Sequence, residues 1–190
     1  MRSLLKKIPA PMCALFLIAA CGGGGNDSSG NPFGINCTAI SGGGTQATQS
    51  VQCSVANCTG NNKDAAIDNN LSSFATLRME QNASGNVKLR ATAQNGIVYP
   101  AGTPAAVVYG LTRTGGNSTG AVQTITTYLG GVQQETNNVG NSGGVQGGNE
   151  TAGRRAMGTT LQFDAIELTY LQTGGAAVEI QLYEFCTSTN

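Results

Sequence analysis

The side chains that could do chemistry here are six cysteines, ten carboxylates and a scatter of serines and tyrosines, with no histidine to activate any of them. Loss of histidine removes the commonest general base, the Ser-His-Asp arrangement and most catalytic zinc sites. Ser118 and Ser142 therefore lack a base. Two carboxylates could hydrolyse a glycosidic bond, but ten acidic residues offer many pairs and no spacing singles one out. Cys37, Cys53, Cys58 and Cys186 lie in the body of the chain. The Cys53-x4-Cys58 spacing is a poor zinc ribbon, and the other two are split by the whole domain. In an exported chain the four read as two disulfides, with three connectivities open. Tyr99, next to Pro100, is placed at an exposed turn. Tyr128 and Tyr183 fall within strand patterns and are placed in the packing.

Export is written at the start. Arg2, Lys6 and Lys7 form a positive segment, an apolar run follows over 14–20, and Ala19-Ala20 precedes Cys21. This junction resembles the lipobox of bacterial lipoproteins. The resemblance implies cleavage before Cys21, diacylglycerol on its sulfur and acylation of the new amino terminus. Each buried methylene contributes about 0.8 kcal/mol, so three acyl chains exceed what stable anchoring needs. A membrane-spanning helix needs about 20 apolar residues, and Pro9 and Pro11 interrupt this shorter run. Gly22 stands where many inner-membrane lipoproteins carry Asp. The expected location is therefore the outer membrane, on its periplasmic or cell-surface face, with the membrane as partner through the lipid.

The net charge of zero hides an asymmetry. The leader takes three of the ten basic residues, leaving seven against ten acidic ones. Such a balance is no footprint for nucleic acid, which needs basic clusters. Charged residues are only 11% of the chain, so the surface is neutral and rich in hydroxyls and amides, as in many extracellular β proteins.

The elements that must position these groups are short strands. Residues 22–36 carry few apolar side chains and cannot bury enough surface to order themselves. We divide the chain into a signal peptide at 1–20, a lipidated cysteine and flexible tether at 21–48, and a β-sandwich at 49–190. Strands are predicted at 50–55, 74–79, 87–92, 105–111, 122–129, 132–135, 159–163, 165–171 and 176–185, from apolar–polar alternation or short apolar runs between turn residues. Gly130-Gly131 is read as a hairpin turn, and Gly174-Gly175 as a second. Residues 64–68 could make one helical turn. Residues 137–153, rich in Gly and Asn, are expected to form a mobile, deletable loop. The class is all-β, an antiparallel β-sandwich.

Three stretches carry a further resemblance. Residues 64–76, with Asp68-Asn69-Asn70-Leu71-Ser72-Ser73, resemble the "A-x-D-G-x-x-x-T-x-W/A-T" segment of galactose-binding-like, or discoidin-type, jelly rolls. Residues 161–168 are similar to their "F-D-x-I/V-x-L" strand, and 177–183 to their closing "A-x-E-I-x-V-Y" strand. The family's Asp-Gly is Asp68-Asn69 here, and Asn also tolerates positive φ. No tryptophan is present for stacking on sugars. The resemblance implies one structural calcium, with Asp68, Asn70, Ser73 and Glu179 as ligands and Asp64 nearby; calcium takes six to eight hard oxygens. The bland alternative is an Asx turn without metal. The resemblance also implies a disulfide pairing, because first and last strands are neighbours in that fold: Cys37 with Cys186 and Cys53 with Cys58, against the competing Cys53–Cys186 with Cys37–Cys58. The expected role is a non-enzymatic, lipid-anchored binding or structural module of the cell surface. The alternatives are a carbohydrate-binding accessory lipoprotein of a surface glycan system and, behind it, a degradative enzyme. Expected partners are a glycan or a surface protein.

Overall fold

The computed structural model describes residues 32–40, 45–140, 145–146 and 148–187. The leader and Cys21 lie outside them. The described chain forms β1 (Gln46–Cys53), β2 (Cys58–Asn61), a 3-10 turn (Lys63–Ala66), β3 (Ala75–Met79), β4 (Gly85–Thr92), β5 (Ala105–Thr119), β6 (Val122–Leu129), β7 (Val132–Asn138), β8 (Val145–Gln146), β9 (Glu150–Met157), β10 (Ala165–Gln172) and β11 (Gly174–Cys186). One sheet runs β1-β4-β10-β6-β7. The other runs β2-β3-β11-β5-β8, with β9 also pairing to β5. All pairings are antiparallel. The architecture is the expected jelly-roll β-sandwich.

Alternation builds the core. Val87, Leu89 and Ala91 of β4, Ile166, Leu168 and Tyr170 of β10 and Ile125 of β6 face Leu77, Met79, Val107, Val178, Ile180 and Leu182 across the layers. Each fully buried large side chain contributes about 1.5–3 kcal/mol. The unbroken apolar run in β5 has a separate cause. Ala105, Val107, Tyr109 and Leu111 face the core, while Ala106 and Val108 lie on the outer face. There, Leu71, Tyr183, Phe33, Ile35 and Phe74 cover them. Phe33 and Phe74 meet the Tyr183 ring edge-on, at 4.7 and 5.4 Å.

Packed structure begins before residue 49, the expected domain start. Ile40 is 1% exposed and β1 opens at Gln46. The Ile40 amide donates to the Phe185 carbonyl at 2.8 Å, and Ala39 bridges Cys186. This contact, not β1, is the neighbour of the last strand; β1 pairs with β4. The disulfides are Cys37–Cys186 and Cys53–Cys58, with Cα separations of 5.3 and 5.9 Å. The pairing that the resemblance implied is therefore the one present, although the strand neighbourhood invoked for it is not.

Three further expectations are corrected. Gly174-Gly175 is not a hairpin: β10 and β11 lie in different sheets. Their φ values of 146° and 97° let the chain cross between layers, and a Cβ on Gly175 would strike the Asn117 carbonyl. Residues 159–163 form no strand. The Glu135 carboxylate captures the amides of Thr160 and Leu161, at 3.0 and 3.1 Å, so only Phe163 bridges Tyr99. Residues 137–153 hold the end of β7, all of β8 and the start of β9. Gly110 of β5 lies against Ala152, so two small residues let β9 approach without an apolar pattern of its own.

Candidate functional site

The loop after the 3-10 turn brings three of the four expected calcium ligands together. The Asn70 amide donates to Asp68 Oδ1 at 2.9 Å, and the Ser73 hydroxyl to Asp68 Oδ2 at 2.6 Å. The Ser72 amide donates to Asn70 Oδ1 at 3.0 Å. Asn69 takes φ 58°, which supplies the turn glycine provides elsewhere. Asp64 turns away to Lys63.

Glu179 is not at this loop. It sits mid-strand in β11, opposite Arg78 and Thr112. The carboxylate that Asp68 influences electrostatically is Glu184, five residues, or ~16 Å of extended strand, further on. A bulge between Leu182 and Glu184 causes this. Period-two alternation from Val178, Ile180 and Leu182 would turn Glu184 inward. The extra residue instead sets it opposite Val108, on the outer face. Glu184 is 1% exposed. Burial, with the charge of Asp68 in support, pushes its carboxyl up to about 8. The amides of Asn69 and Asn70 and the Phe185 amide pull the other way, but Oε2 is left without a hydrogen-bond partner. The sequence signal was the break in alternation at Tyr183-Glu184-Phe185.

The outer sheet faces offer two more clusters. On the five-stranded sheet, Glu167 is nearly buried and fully engaged. Arg90 donates to Oε2 through Nε and Nη2 at 3.0 and 2.8 Å. The Tyr128 and Thr169 hydroxyls donate to Oε1 at 3.0 and 3.3 Å, and Lys88 lies 3.9 Å away. The Arg90 guanidinium covers the Tyr128 ring at 3.5 Å. Tyr128 thus lies on the outer face, not in the expected inter-sheet packing. Burial, then the Glu167 charge, raises its phenol above the ordinary value. With its acceptors occupied, Glu167 fastens β4, β6 and β10 together.

On the six-stranded sheet the groups are open. A groove of about 290 Å³ is lined by Arg78, Thr112, Thr114, Ala177, Val178 and Glu179. Thr112 and Thr114 are exposed. Glu179 Oε1 accepts a long bond from Gln181 Nε2 at 3.3 Å, and Gln181 in turn accepts from the Tyr183 hydroxyl at 3.0 Å. Arg78 is about half exposed and pairs with Glu80 at 3.2 Å. A carboxylate, a guanidinium and two hydroxyls thus border an alanine floor, with hydrogen-bonding capacity left over.

No family model matches the chain, and no curated protein matches it. Solved structures do. The family 32 carbohydrate-binding module of NanJ from C. perfringens, in complex with galactose, is similar at TM-score 0.42 and 14% identity, over 74% of this chain and 90% of that one. A family 29 carbohydrate-binding module superposes at 0.41 and 16% identity, over 82% and 94%. A family 28 module specific for non-crystalline cellulose gives 0.39 and 8%, over 60% and 75%. Superposition at this level is loose, and a shared sandwich does not bring a shared ligand with it.

Proposed function

We propose that the chain is a non-enzymatic binding module, held at the outer membrane by lipid on Cys21, that takes a glycan in the groove over Glu179. One observation carries the reading: that groove presents unspent donors and acceptors side by side, whereas the Glu167 cluster is already satisfied. Adjacent sugar hydroxyls each donate and accept, so a carboxylate opposite a guanidinium, flanked by threonine hydroxyls, suits a vicinal diol. The alanine floor leaves room for a ring to approach. Binding of a panel of immobilised surface glycans tests this. At least one glycan should be retained by the wild type and released by Glu179→Ala, with the thermal midpoint unchanged. Retention that survives Glu179→Ala would place the ligand elsewhere. The anchor has its own test: Cys21→Ser should release the folded domain from membranes. A variant that still enters the detergent phase would overturn the lipid reading.

A single structural calcium belongs to the same reading, at Asp68 and Glu184 with the oxygens of Asn70 and Ser73 beside them. Support comes from the buried, partnerless Glu184 Oε2 and from the electrostatic influence of Asp68 on the Glu184 carboxyl. Bound calcium would neutralise both carboxylates and tie the 68–73 loop to β11. Millimolar calcium should raise the unfolding midpoint of the wild type but not of Asp68→Ala. Equal midpoints in calcium and in chelator would exclude the ion.

A further inference from the structure

A second cleft, unrelated to the groove, opens at the side of the sandwich between the end of β7 and β9. It measures about 270 Å³ and is lined by Asn138, Val139, Gly140, Glu150 and Arg155. We propose that it binds a compact oxyanion, a carboxylate, phosphate or sulfate group, on the guanidinium of Arg155.

Register places two arginines on the inner side of their sheet. Arg113 stands opposite Val178, and Arg155 opposite Val107; both valines belong to the core. The Arg113 side chain is 2% exposed. A guanidinium cannot shed its proton, so a charge this deep needs a partner, and Glu150 supplies it at 3.4 Å through Oε1. The same oxygen accepts from Gln123 Nε2 at 2.7 Å. Gln123 in turn accepts from the Tyr109 hydroxyl. Burial, then the Glu150 charge, holds that phenol far above its ordinary value, so it stays a neutral donor. The Gly148 carbonyl accepts from Arg113 Nη1, and Asn149 Oδ1 from the Arg113 amide at 2.7 Å. Glu150 is therefore committed inward.

Arg155 gains little from it. Its Nη2 lies 3.8 Å from Glu150 Oε2, an ion-pair distance too long for a hydrogen bond. Its Nη1 donates only weakly, at 3.4 Å, to the neighbouring Arg154 carbonyl. The side chain is 36% exposed and borders the cleft. Two guanidiniums share one carboxylate, and the other group that Arg155 overlies, the Tyr109 ring at 5.9 Å, is neutral, which leaves one positive charge at the edge of the recess. An incoming oxyanion meets a planar fork that matches its geometry. A cation would find Glu150, the one carboxylate among the described lining residues, already spent, and a neutral ligand would leave the charge uncompensated.

The test is an NMR titration of the full ¹⁵N-labelled chain in detergent with inorganic phosphate and then sulfate, exchanged against chloride at constant ionic strength. The amides of Gly140 and Glu150 should shift and saturate, while those around Glu179 stay still. Arg155→Gln should weaken the apparent affinity at least tenfold, and Arg155→Lys, which keeps charge but loses the fork, should fall between. If Arg155→Gln does not fold, the wild-type curve and the lysine variant still decide. Shifts that grow linearly without saturating, or that persist unchanged in the variants, would overturn the site. Failure of the glycan groove leaves this result untouched, because Glu179 takes no part in it.

Discussion

At the scale of single residues, Glu135 does more than its half-buried position in β7 suggests. One carboxylate holds the Thr160 amide and hydroxyl at 3.0 and 2.7 Å and the Leu161 amide at 3.1 Å. Desolvation is the largest single influence and raises its pKa, but these bonds together outweigh it and hold the carboxyl below the ordinary 4.5. A depressed folded pKa contributes stability that is present above the unfolded value and lost as pH falls through the folded one. Wild type should therefore exceed Glu135→Gln in stability at neutral pH, by at most about 1 kcal/mol given solvent screening. The gap should narrow on acidification below pH 4.5, the ordinary value. Paired urea titrations at neutral and acidic pH measure it; a gap that widens in acid would reverse the assignment. Nothing in the spacing of Glu135 and Thr160 announces this clamp, because 25 residues separate them.

Among the elements, β9 shows where apolar patterning stops being informative. Its sequence, Glu-Thr-Ala-Gly-Arg-Arg-Ala-Met, has almost no alternation. What holds it is a backbone ladder to β5 and the pairing of Glu150 with buried Arg113. Excision of 137–153 should therefore lower the unfolding midpoint sharply, contrary to a loop's tolerance. Glu150→Ala alone should cost about 3–5 kcal/mol, since it strands a buried charge. Glu150→Leu combined with Arg113→Met should recover much of that loss. A double variant as weak as the single one in denaturant unfolding would mean that the pair is not the cause. Strands with an apolar face were legible by contrast: β4 and β6 alternate, and Gly130-Gly131, with φ of 57° and 82°, joins β6 to β7 as the dipeptide predicts.

Across the whole molecule, the disulfides differ in reach. Cys37–Cys186 spans 149 residues and fastens the entering chain to the last strand. Cys53–Cys58 closes five. The chain-entropy model assigns about 4–5 kcal/mol to the long bridge and about 2 to the short one. Cys37→Ser should lower the urea midpoint more than Cys58→Ser does; the opposite order would show that the local bridge dominates. Cys37 and Cys186 stand close to residues 32 and 187, the first and last described residues. The anchor proposed at Cys21 would therefore load β11, a central strand of its sheet, through a covalent bond.

Sequence by itself determined the class of this molecule and most of its strands. Alternation, turn glycines and the lack of any long amphipathic run act over a few residues, and those residues suffice to specify them. It also brought Asp68, Asn70 and Ser73 together, since an Asx turn is closed by its own side chains. Tertiary structure decided the rest. Which sheet receives β10 and which β11 depends on a crossing at Gly174-Gly175 that the dipeptide shares with a hairpin. Whether Glu179 or Glu184 meets Asp68 depends on one bulge in β11, and a bulge is a property of two strands rather than one. The burial of Arg113 depends on β9 arriving with Glu150, from a segment whose composition reads as loop. These outcomes rest on pairings between residues far apart in the chain, and a local pattern carries no record of its partner.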